Sequence, residues 1–336
     1  MAAPRHKPRH NPRRKPRPRR PSTAVRAEVA RFEAEAQDWW NAAGAFAALH
    51  RLNPVRIAFI RDAAAARFGR ARAVAQVRPA ARPERGASFN ARVTPSGVPS
   101  HDDSPARPLA GLDVLDVGCG GGLLCEPMAR LGARVTGIDA GAENIRVAAA
   151  HAREGKLAIA YRAATPEDLV RERARFDVVL NMEVIEHVAD AGAFVETCAA
   201  LVRPGGIMVL ATLNRTLKSL LLGKVAAEYV LGWIPPGTHD WRKFVPPGDL
   251  AAMLAEAGMT AERAAGVVFD PWRGEWRLKA DDTAVNYMMV ATKNGPRREK
   301  SRRSRAQPLR RGSPGRRKTS MPSSSSRRAS SGVASP

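Results

Sequence analysis

The chain has 336 residues and a formal net charge of +23. Residues 1–20 carry nine Lys and Arg and no acid, residues 295–336 carry thirteen and one acid, and residues 21–294 are left with +2. This distribution excludes a uniformly basic, nucleic-acid-binding fold. The two ends are rich in Pro, Ser and Arg, lack apolar periodicity and are predicted to be disordered, either as inert solvated arms or as segments that attract RNA, DNA or anionic lipid non-specifically.

Cysteine usage and hydropathy exclude further classes of protein. Three cysteines without Cys-x-x-Cys spacing argue against a disulfide framework and against a zinc motif. There is no run of 18 uncharged apolar residues, so the sequence predicts no transmembrane helix.

The N-terminal part of the chain is predicted to be helical. Residues 25–40 carry apolar side chains near one face, including Trp39 and Trp40, and this pair is interpreted as packing or as a stack on a ligand. Asn53 is predicted to cap a second helix with Pro54 in its first turn. From about residue 70 to residue 108 the apolar pattern gives way to Ala, Arg, Pro, Gly and Ser, which predicts a flexible insert.

A strand, a glycine-rich loop and a helix follow. The apolar run 113–117 leads into Gly118-Cys119-Gly120-Gly121-Gly122, a helical pattern over 122–131, and a second strand over 134–138 that ends at Asp139. This order predicts the first unit of a doubly wound α/β sheet that binds a dinucleotide or S-adenosylmethionine. Asp116 at the strand tip would repel a pyrophosphate but suits the sulfonium and ammonium charges of S-adenosylmethionine, which favours a methyltransferase.

The strand–helix alternation continues to the end of the domain. Thr165 and Pro166 predict a helix start, and Glu167 or Asp168 is interpreted as a partner of an adenine amino group or as an acid favoured by the helix dipole. The remaining predicted elements are a helix over 142–152 and strands over 157–161, 176–181, 207–212 and 285–291.

A second group of side chains that could bind a metal ion or transfer a proton follows the fourth strand. Glu183, Glu186 and His187 stand at i, i+3 and i+4, so one turn of helix would aim all three the same way. Such a set suits a divalent ion, while the alternatives are that His187 is a general base or that the cluster is a set of caps and salt bridges.

Residues 213–236 form a long apolar segment after the fifth strand. Helical spacing leaves only a narrow polar strip with Lys224 and Glu228, which predicts a helix that rests on a lipid surface or packs on the domain as a lid over the substrate.

Several motifs together resemble the ubiquinone biosynthesis O-methyltransferases of bacteria. The resemblance covers about residues 30–66 and 109–293. The motifs are Phe32, Trp39-Trp40, Phe46, 49–56 (Leu-His-Arg-Leu-Asn-Pro-Val-Arg), 115–122 (Leu-Asp-Val-Gly-Cys-Gly-Gly-Gly), Met182-Glu183, Glu186-His187-Val188, 212–215 (Thr-Leu-Asn-Arg) and 237–240 (Gly-Thr-His-Asp).

The resemblance implies a class I fold: a Rossmann-like doubly wound sheet, mostly parallel with an antiparallel last strand, preceded by N-terminal helices. The family's S-adenosylmethionine positions fall on Arg56, Gly118, Asp139 and Met182. Its divalent-metal triad, for Mg²⁺ or another ion, falls on Glu183, Glu186 and His187, and His187 is the expected catalytic residue. The expected organisation of the chain is a disordered basic tail (1–24), N-terminal helices (25–69), a flexible insert (70–108), a methyltransferase domain (109–293) and a second disordered basic tail (294–336). The two tails and the insert depart from the family pattern, so the resemblance implies nothing about them.

The resemblance also implies a reaction and a location. The expected reaction is methylation of phenolic hydroxyls on a polyprenylated catechol and on demethylubiquinol. The expected setting is cytoplasmic, with peripheral contact to lipid of the inner membrane and a complex with other ubiquinone-biosynthesis enzymes, and no specific nucleic acid. The alternatives are another small phenolic acceptor, or a methyltransferase-like protein that binds nucleic acid or lipid.

Overall fold

The computed structural model describes residues 22–70, 107–221 and 240–295. The predictions for the two basic tails and the 70–108 insert lie almost wholly outside these ranges, as do those for most of the apolar segment 213–236. Within the described ranges, no helix combines the length and apolar character that a membrane span requires.

Residues 22–24, which the prediction placed in the N-terminal tail, contact the domain. Thr23 donates hydrogen bonds to Glu167 from its backbone nitrogen and its hydroxyl, at 3.2 and 2.8 Å. Ala24 forms a β-bridge with Val188. Because Glu167 holds Thr23 and Asp168 forms a capping box with Thr165, both carboxylates proposed for adenine are engaged by the protein itself.

The described residues form eight strands in one sheet. They are β1 (Asp113–Val117), β2 (Arg134–Asp139), β3 (Ile159–Ala163), β4 (Phe176–Met182), β5 (Val202–Leu213), β6 (Met259–Asp270), β7 (Glu275–Lys279) and β8 (Asn286–Lys293). Their order in the sheet is β3-β2-β1-β4-β5-β8-β6-β7. The strands β1 to β5 are parallel, β8 is antiparallel to β5, β6 to β8 and β7 to β6. The predicted doubly wound sheet with an antiparallel last strand is confirmed, but β6 and β7 were not predicted.

Helices cover both faces of this sheet. Among the described residues, the helices of four residues or more are α1 (Arg26–Ala34), α2 (Ala47–Arg67), α3 (Cys125–Arg130), α4 (Ala142–Glu154), α5 (Pro166–Arg171), α6 (Ala191–Leu201) and α7 (Pro247–Glu256). Alternate residues of a strand face opposite sides, so Val114 joins one buried cluster with the α2 residues Phe59 and Ile60, while Leu115 joins a second cluster with Phe194 of α6.

The predicted start of the second helix is wrong. Helix α2 begins at Ala47, Pro54 lies inside it, and the Asn53 side chain donates to the Leu123 carbonyl at 3.1 Å rather than capping. An interior proline costs a helix about 3 kcal/mol. Burial of Leu52, Phe59 and Ile60 offsets that cost, since each large apolar side chain contributes about 1.5–3 kcal/mol. The first helix is also shorter than predicted and ends at Ala34.

Candidate active site

A pocket of about 750 Å³ lies at the carboxyl ends of the parallel strands. Its lining includes 116–119 after β1, 138–140 after β2 and 182–184 after β4. Strand β1 lies between β2 and β4 in the sheet, so these three ends meet at the place where doubly wound folds bind ligands. Helices α1 and α2 contribute the opposite wall.

The glycine loop is shaped by packing as much as by ligand access. Gly118 has φ +69°, and a Cβ there would lie 2.6 Å from Val184. A Cβ on Gly120 would overlap the ring of Trp39. The backbone nitrogens of Gly118 and Cys119 both donate to the Ile138 carbonyl, at 2.8 and 2.9 Å. The loop is therefore fixed against β2, and Gly118 borders the pocket without offering a spare N–H group.

Asp139 is held at the end of β2 by three hydrogen bonds. One carboxylate oxygen accepts from the Gly141 nitrogen at 2.8 Å and the Asn144 amide at 3.2 Å, and the other accepts from the Gly120 nitrogen at 3.0 Å. Burial raises the pKa of Asp139. A carboxylate offers about four acceptor positions, so one remains for a ribose hydroxyl while these bonds persist.

Asp116 is a buried carboxyl at the tip of β1. Its side chain accepts a hydrogen bond from the Cys125 thiol at 3.3 Å, and only 3% of the residue is exposed. Burial raises the pKa of Asp116 to about 7, and the nearby Asp139 charge adds to that rise. A bound cation would favour the ionised form of such a group.

Arg56 and Met182 lie on the predicted cofactor side of the pocket. Met182 lines it with 7% of its surface exposed. The Arg56 Nη2 atom lies 2.9 Å from Glu183 Oε1 as an ion pair. Among the described residues it finds no hydrogen-bond acceptor with suitable geometry. A buried guanidinium group that has an ion-pair partner but no well-aligned hydrogen-bond acceptor can bind the carboxylate of an incoming amino acid or of S-adenosylmethionine.

The expectation that Glu183, Glu186 and His187 share one helical face is wrong. Glu183 has φ +60° and precedes the short 3₁₀ turn Ile185–His187, so it is not on the same helical turn as the other two. Its Oε1 accepts from the Asn286 amide at 3.2 Å besides pairing with Arg56.

These three side chains have separate protein partners. Glu186 is buried and accepts from the Thr212 hydroxyl at 2.9 Å, while His187 Nδ1 lies 3.2 Å from Glu28. Across the part of the chain that the structure describes, no three His, Cys, Asp or Glu side chains are grouped as a metal ion would need. As arranged, the predicted triad does not fit one ion, and the metal site stays a prediction.

Sequence reasoning missed Glu28 as a partner of His187. The hydrogen bond between them lowers the pKa of Glu28, and the Phe32 ring meets the imidazole edge-on at 5.3 Å between centroids. A carboxylate on Nδ1 fixes the imidazole tautomer, which makes Nε2 the acceptor nitrogen. Glu28 and His187 are 159 residues apart, and no local pattern marks Glu28.

The two neighbouring tryptophans of the N-terminal part pack on the glycine loop. Trp39 stacks on Phe46 at 3.7 Å and donates to Asn144 at 2.9 Å. Trp40 donates to the Gly121 carbonyl at 2.9 Å and stacks on His151 at 3.5 Å. The packing interpretation of this pair therefore describes the contacts that the structure shows.

Comparison with known proteins identifies the family. A family model described as a methyltransferase domain matches residues 70–264. The ubiquinone biosynthesis O-methyltransferase of Methylocella silvestris is 52% identical over 273 residues, which cover 81% of this chain and 96% of that protein. The enzyme of the same name from Caulobacter vibrioides is 51% identical over 269 residues, 80% of this chain and 94% of that protein.

A solved structure of magnesium protoporphyrin IX methyltransferase from Synechocystis PCC 6803 with bound SAH is a more distant match. It has a TM-score of 0.41 and 22% identity, and the match covers 55% of this chain and 76% of that chain. From the identity and coverage of its relatives, the chain belongs to the ubiquinone biosynthesis O-methyltransferase family, within the S-adenosylmethionine-dependent methyltransferases.

Proposed function

We propose that this chain transfers the methyl group of S-adenosylmethionine to phenolic hydroxyls of polyprenylated catechol and demethylubiquinol intermediates. The observation that carries the proposal is one pocket that joins two kinds of group. The buried Asp116 carboxyl, the half-buried Asp139 carboxyl and the buried Arg56 guanidinium lie on the lining. An imidazole–carboxylate pair, His187 and Glu28, lies on the same lining. The first set suits a cationic amino-acid ligand and the second suits removal of a proton.

The cofactor residues are assigned by their chemistry. Arg56 would hold the methionine carboxylate with its buried donor, and Asp139 would accept from the ribose. Gly118 borders the pocket at the strand tip, where the absence of a Cβ makes room for Val184, and Met182 would form an apolar wall against the adenine. When bound, S-adenosylmethionine supplies a methyl group on a positively charged sulfur. Asp116 would then face positive charge and lose its proton.

The reaction needs a phenolate at the right place. Glu28 accepts a hydrogen bond from the Nδ1–H group of His187, and His187 Nε2 takes the proton of the phenolic hydroxyl to form an imidazolium that the Glu28 carboxylate stabilises. The phenolate oxygen forms a bond to the methyl carbon as the carbon–sulfur bond breaks, and the electron pair of that bond stays on sulfur. Helices α1 and α2, which close one side of the pocket, hold the acceptor in line and exclude water from the charged site.

A divalent ion at Glu183, Glu186 and His187 stays a prediction, because each of these side chains has its own protein partner. Turnover of the purified enzyme with EDTA, and again with Mg²⁺ restored, decides the matter. Loss and recovery of turnover would support a metal site, and unchanged turnover would rule out an essential one.

Membrane contact is proposed from the start of the apolar segment 213–236. Leu217 and Leu221 are 69% and 53% exposed, and a substrate with a polyprenyl tail resides in the bilayer. Exposed leucines beside the end of β5 suit shallow insertion at the lipid surface of the inner membrane, from the cytoplasmic side. A complex with other enzymes of the pathway stays a prediction.

The proposed function is tested with purified protein. Calorimetry measures S-adenosylmethionine binding, and transfer of a labelled methyl group is measured with a prenylated catechol and a prenylated demethylubiquinol. Transfer to both, lost in His187→Asn, is expected. Cofactor binding without transfer to either would favour another phenolic acceptor. Absence of cofactor binding would favour a methyltransferase-like protein that binds nucleic acid or lipid.

A further inference from the structure

The pocket extends well beyond the cofactor residues, along the carboxyl edge of the sheet. Because β8 is antiparallel to both β5 and β6, the C-terminal end of β6 lies at the same edge as that of β5. The lining accordingly includes 267–269 of β6 and 276–277 of β7. At about 4.8 Å between neighbouring strands, the distance from β1 to β6 is roughly 19 Å.

Val267 and Phe269 of β6 and Trp276 of β7 form the apolar face of the hairpin that lines this part of the pocket. Val267 is opposite Leu278 in the register, and Phe269 is opposite Trp276 with ring centroids 5.4 Å apart. Residues opposite each other in a strand pair share a face, and Val267 and Trp276 pack in the cluster that includes Leu52 of α2. The apolar face of the hairpin is therefore directed toward α2.

The opposite wall of this region is apolar as well. Val29 and Phe32 of α1 and Leu49 and Leu52 of α2 line the pocket. The space between these helices and the hairpin is called the trough here, and its lining is mainly hydrocarbon and aromatic, with Arg277 and Lys279 of β7 also present. Because apolar side chains predominate, the trough suits an apolar chain.

A polar junction separates the trough from the cofactor residues. Val267 is opposite Asn286 in the register of β6 and β8. The Asn286 amide donates to Glu183, and Glu183 pairs with Arg56. Along the carboxyl edge of the sheet, the cofactor residues Asp116 and Asp139 come first, the polar junction of Glu183 and Asn286 comes next, and the apolar trough comes last. This order matches a ligand with a polar head and an apolar tail.

We propose that the β6–β7 hairpin, with Phe269 and Trp276, forms the binding site for the isoprenoid tail of the acceptor, with the phenolic ring at the Asn286–Glu183 junction. The inference rests on the proposed function, because only a tailed acceptor needs the trough. The hairpin thereby determines which acceptors the enzyme prefers, apart from how it binds the cofactor.

The test compares one catechol with a farnesyl chain and the same catechol without it. The wild type is expected to show a higher kcat/KM for the farnesyl acceptor. Trp276→Ala is expected to lower the ratio of the two kcat/KM values about tenfold, through KM, because an aromatic wall of the tail site is lost. Calorimetric binding of the farnesyl catechol is expected to weaken in parallel.

Trp272→Ala is the matched control. This tryptophan lies in the turn of the same hairpin, is 96% exposed, and is outside the lining of the pocket, so its loss is expected to leave the ratio unchanged. Phe269→Ala provides a second variant if Trp276→Ala does not fold. Farnesol, a tail without the ring, is expected to inhibit the wild type in competition with the farnesyl acceptor.

Each other outcome overturns the inference in a recognisable way. An unchanged ratio of the two kcat/KM values in the folded Trp276→Ala and Phe269→Ala variants would show that the tail does not bind to this face. An equal fall of that ratio in Trp272→Ala would show the same. A change in molar mass in Trp276→Ala with an unchanged ratio would assign the face to a second copy of the chain. A wild type that methylates both acceptors equally would refute the tail site alone. A wild type that binds cofactor but methylates neither would refute the proposed function.

Discussion

Replacing Asp116 by asparagine is expected to make the protein more stable at pH 8 and a weaker binder of S-adenosylmethionine. Burial raises the pKa of Asp116 from 3.8 to about 7. Between these values the folded state holds a proton that the unfolded chain has released. The free energy of unfolding therefore falls as the pH rises through that range and stays low above it.

The size of the effect follows from the shift. About three pKa units, at about 1.4 kcal/mol each, amount to a loss of at most about 4 kcal/mol above pH 7. Asp116→Asn stays neutral at every pH, so its advantage over the wild type is expected to be large at pH 8 and small at pH 5. The buried amide must share the Cys125 thiol as its partner, which reduces the gain.

Cofactor binding is expected to change in the opposite direction. A cation near Asp116 favours the carboxylate, so wild-type affinity is expected to rise with pH up to about 7 and then level off. In Asp116→Asn the affinity at pH 8 is expected to fall about tenfold or more, because a hydrogen bond or contact to a charged group contributes about 1.5–3 kcal/mol.

Urea unfolding at pH 5 and pH 8, and calorimetry with the cofactor at several pH values, provide the measurements. Asp113→Asn is the matched control on the same strand. Arg134 and Arg203 lie 2.6 Å from the Asp113 carboxylate and lower its pKa, so its replacement is expected to destabilise the protein at pH 8. An Asp116→Asn variant that is less stable than the wild type at pH 8, or that binds the cofactor equally well, would refute the reasoning.

Three further predictions follow from the site and its surroundings. His187→Asn is expected to lower kcat by about 10²–10⁴ with little change in cofactor affinity. Glu28→Gln is expected to lower kcat less, because Glu28 orients the ring without touching the substrate. Equal kcat in the wild type and both variants would show that the imidazole does not take part in proton transfer. Leu217→Asp combined with Leu221→Asp is expected to reduce flotation with vesicles of phosphatidylethanolamine and phosphatidylglycerol, in a protein whose circular dichroism is unchanged; undiminished flotation would exclude these leucines from lipid contact. Trp39→Ala is expected to lower the free energy of unfolding by about 3–5 kcal/mol, since the ring is buried against the glycine loop; a loss below about 1 kcal/mol would show that the loop does not depend on it.

The parallel half of the sheet was predictable because its signals are local. The apolar run 113–117 coincides with β1, and Thr165 with Pro166 begins a helix as predicted. Strand β6 was missed, since Ala261, Arg263 and Ala264 do not give a clear alternation and a register shift interrupts its pairing with β8. Its position depends on pairing with β8, which a local pattern does not reveal.

The site was predictable as a set of residues but not as an arrangement. Asp139 and Met182 lie where the strand order placed them. The spacing of Glu183 to His187 suggested one helical face, but the left-handed backbone of Glu183 separates it from the turn that follows. The contact of His187 with Glu28 joins residues that are distant along the chain, so only the folded structure reveals it.

The strand order leaves β7 at one end of the sheet, and none of the described strands pairs with its outer side. An open edge invites pairing between molecules and aggregation. In β7, exposed Glu275, Arg277 and Lys279 alternate with Trp276 and Leu278. Charged side chains at such positions discourage a second sheet from adding to this one. One five-residue strand would therefore serve two purposes: Trp276 contributes to the proposed tail site, and the exposed charged side chains discourage association through the sheet edge.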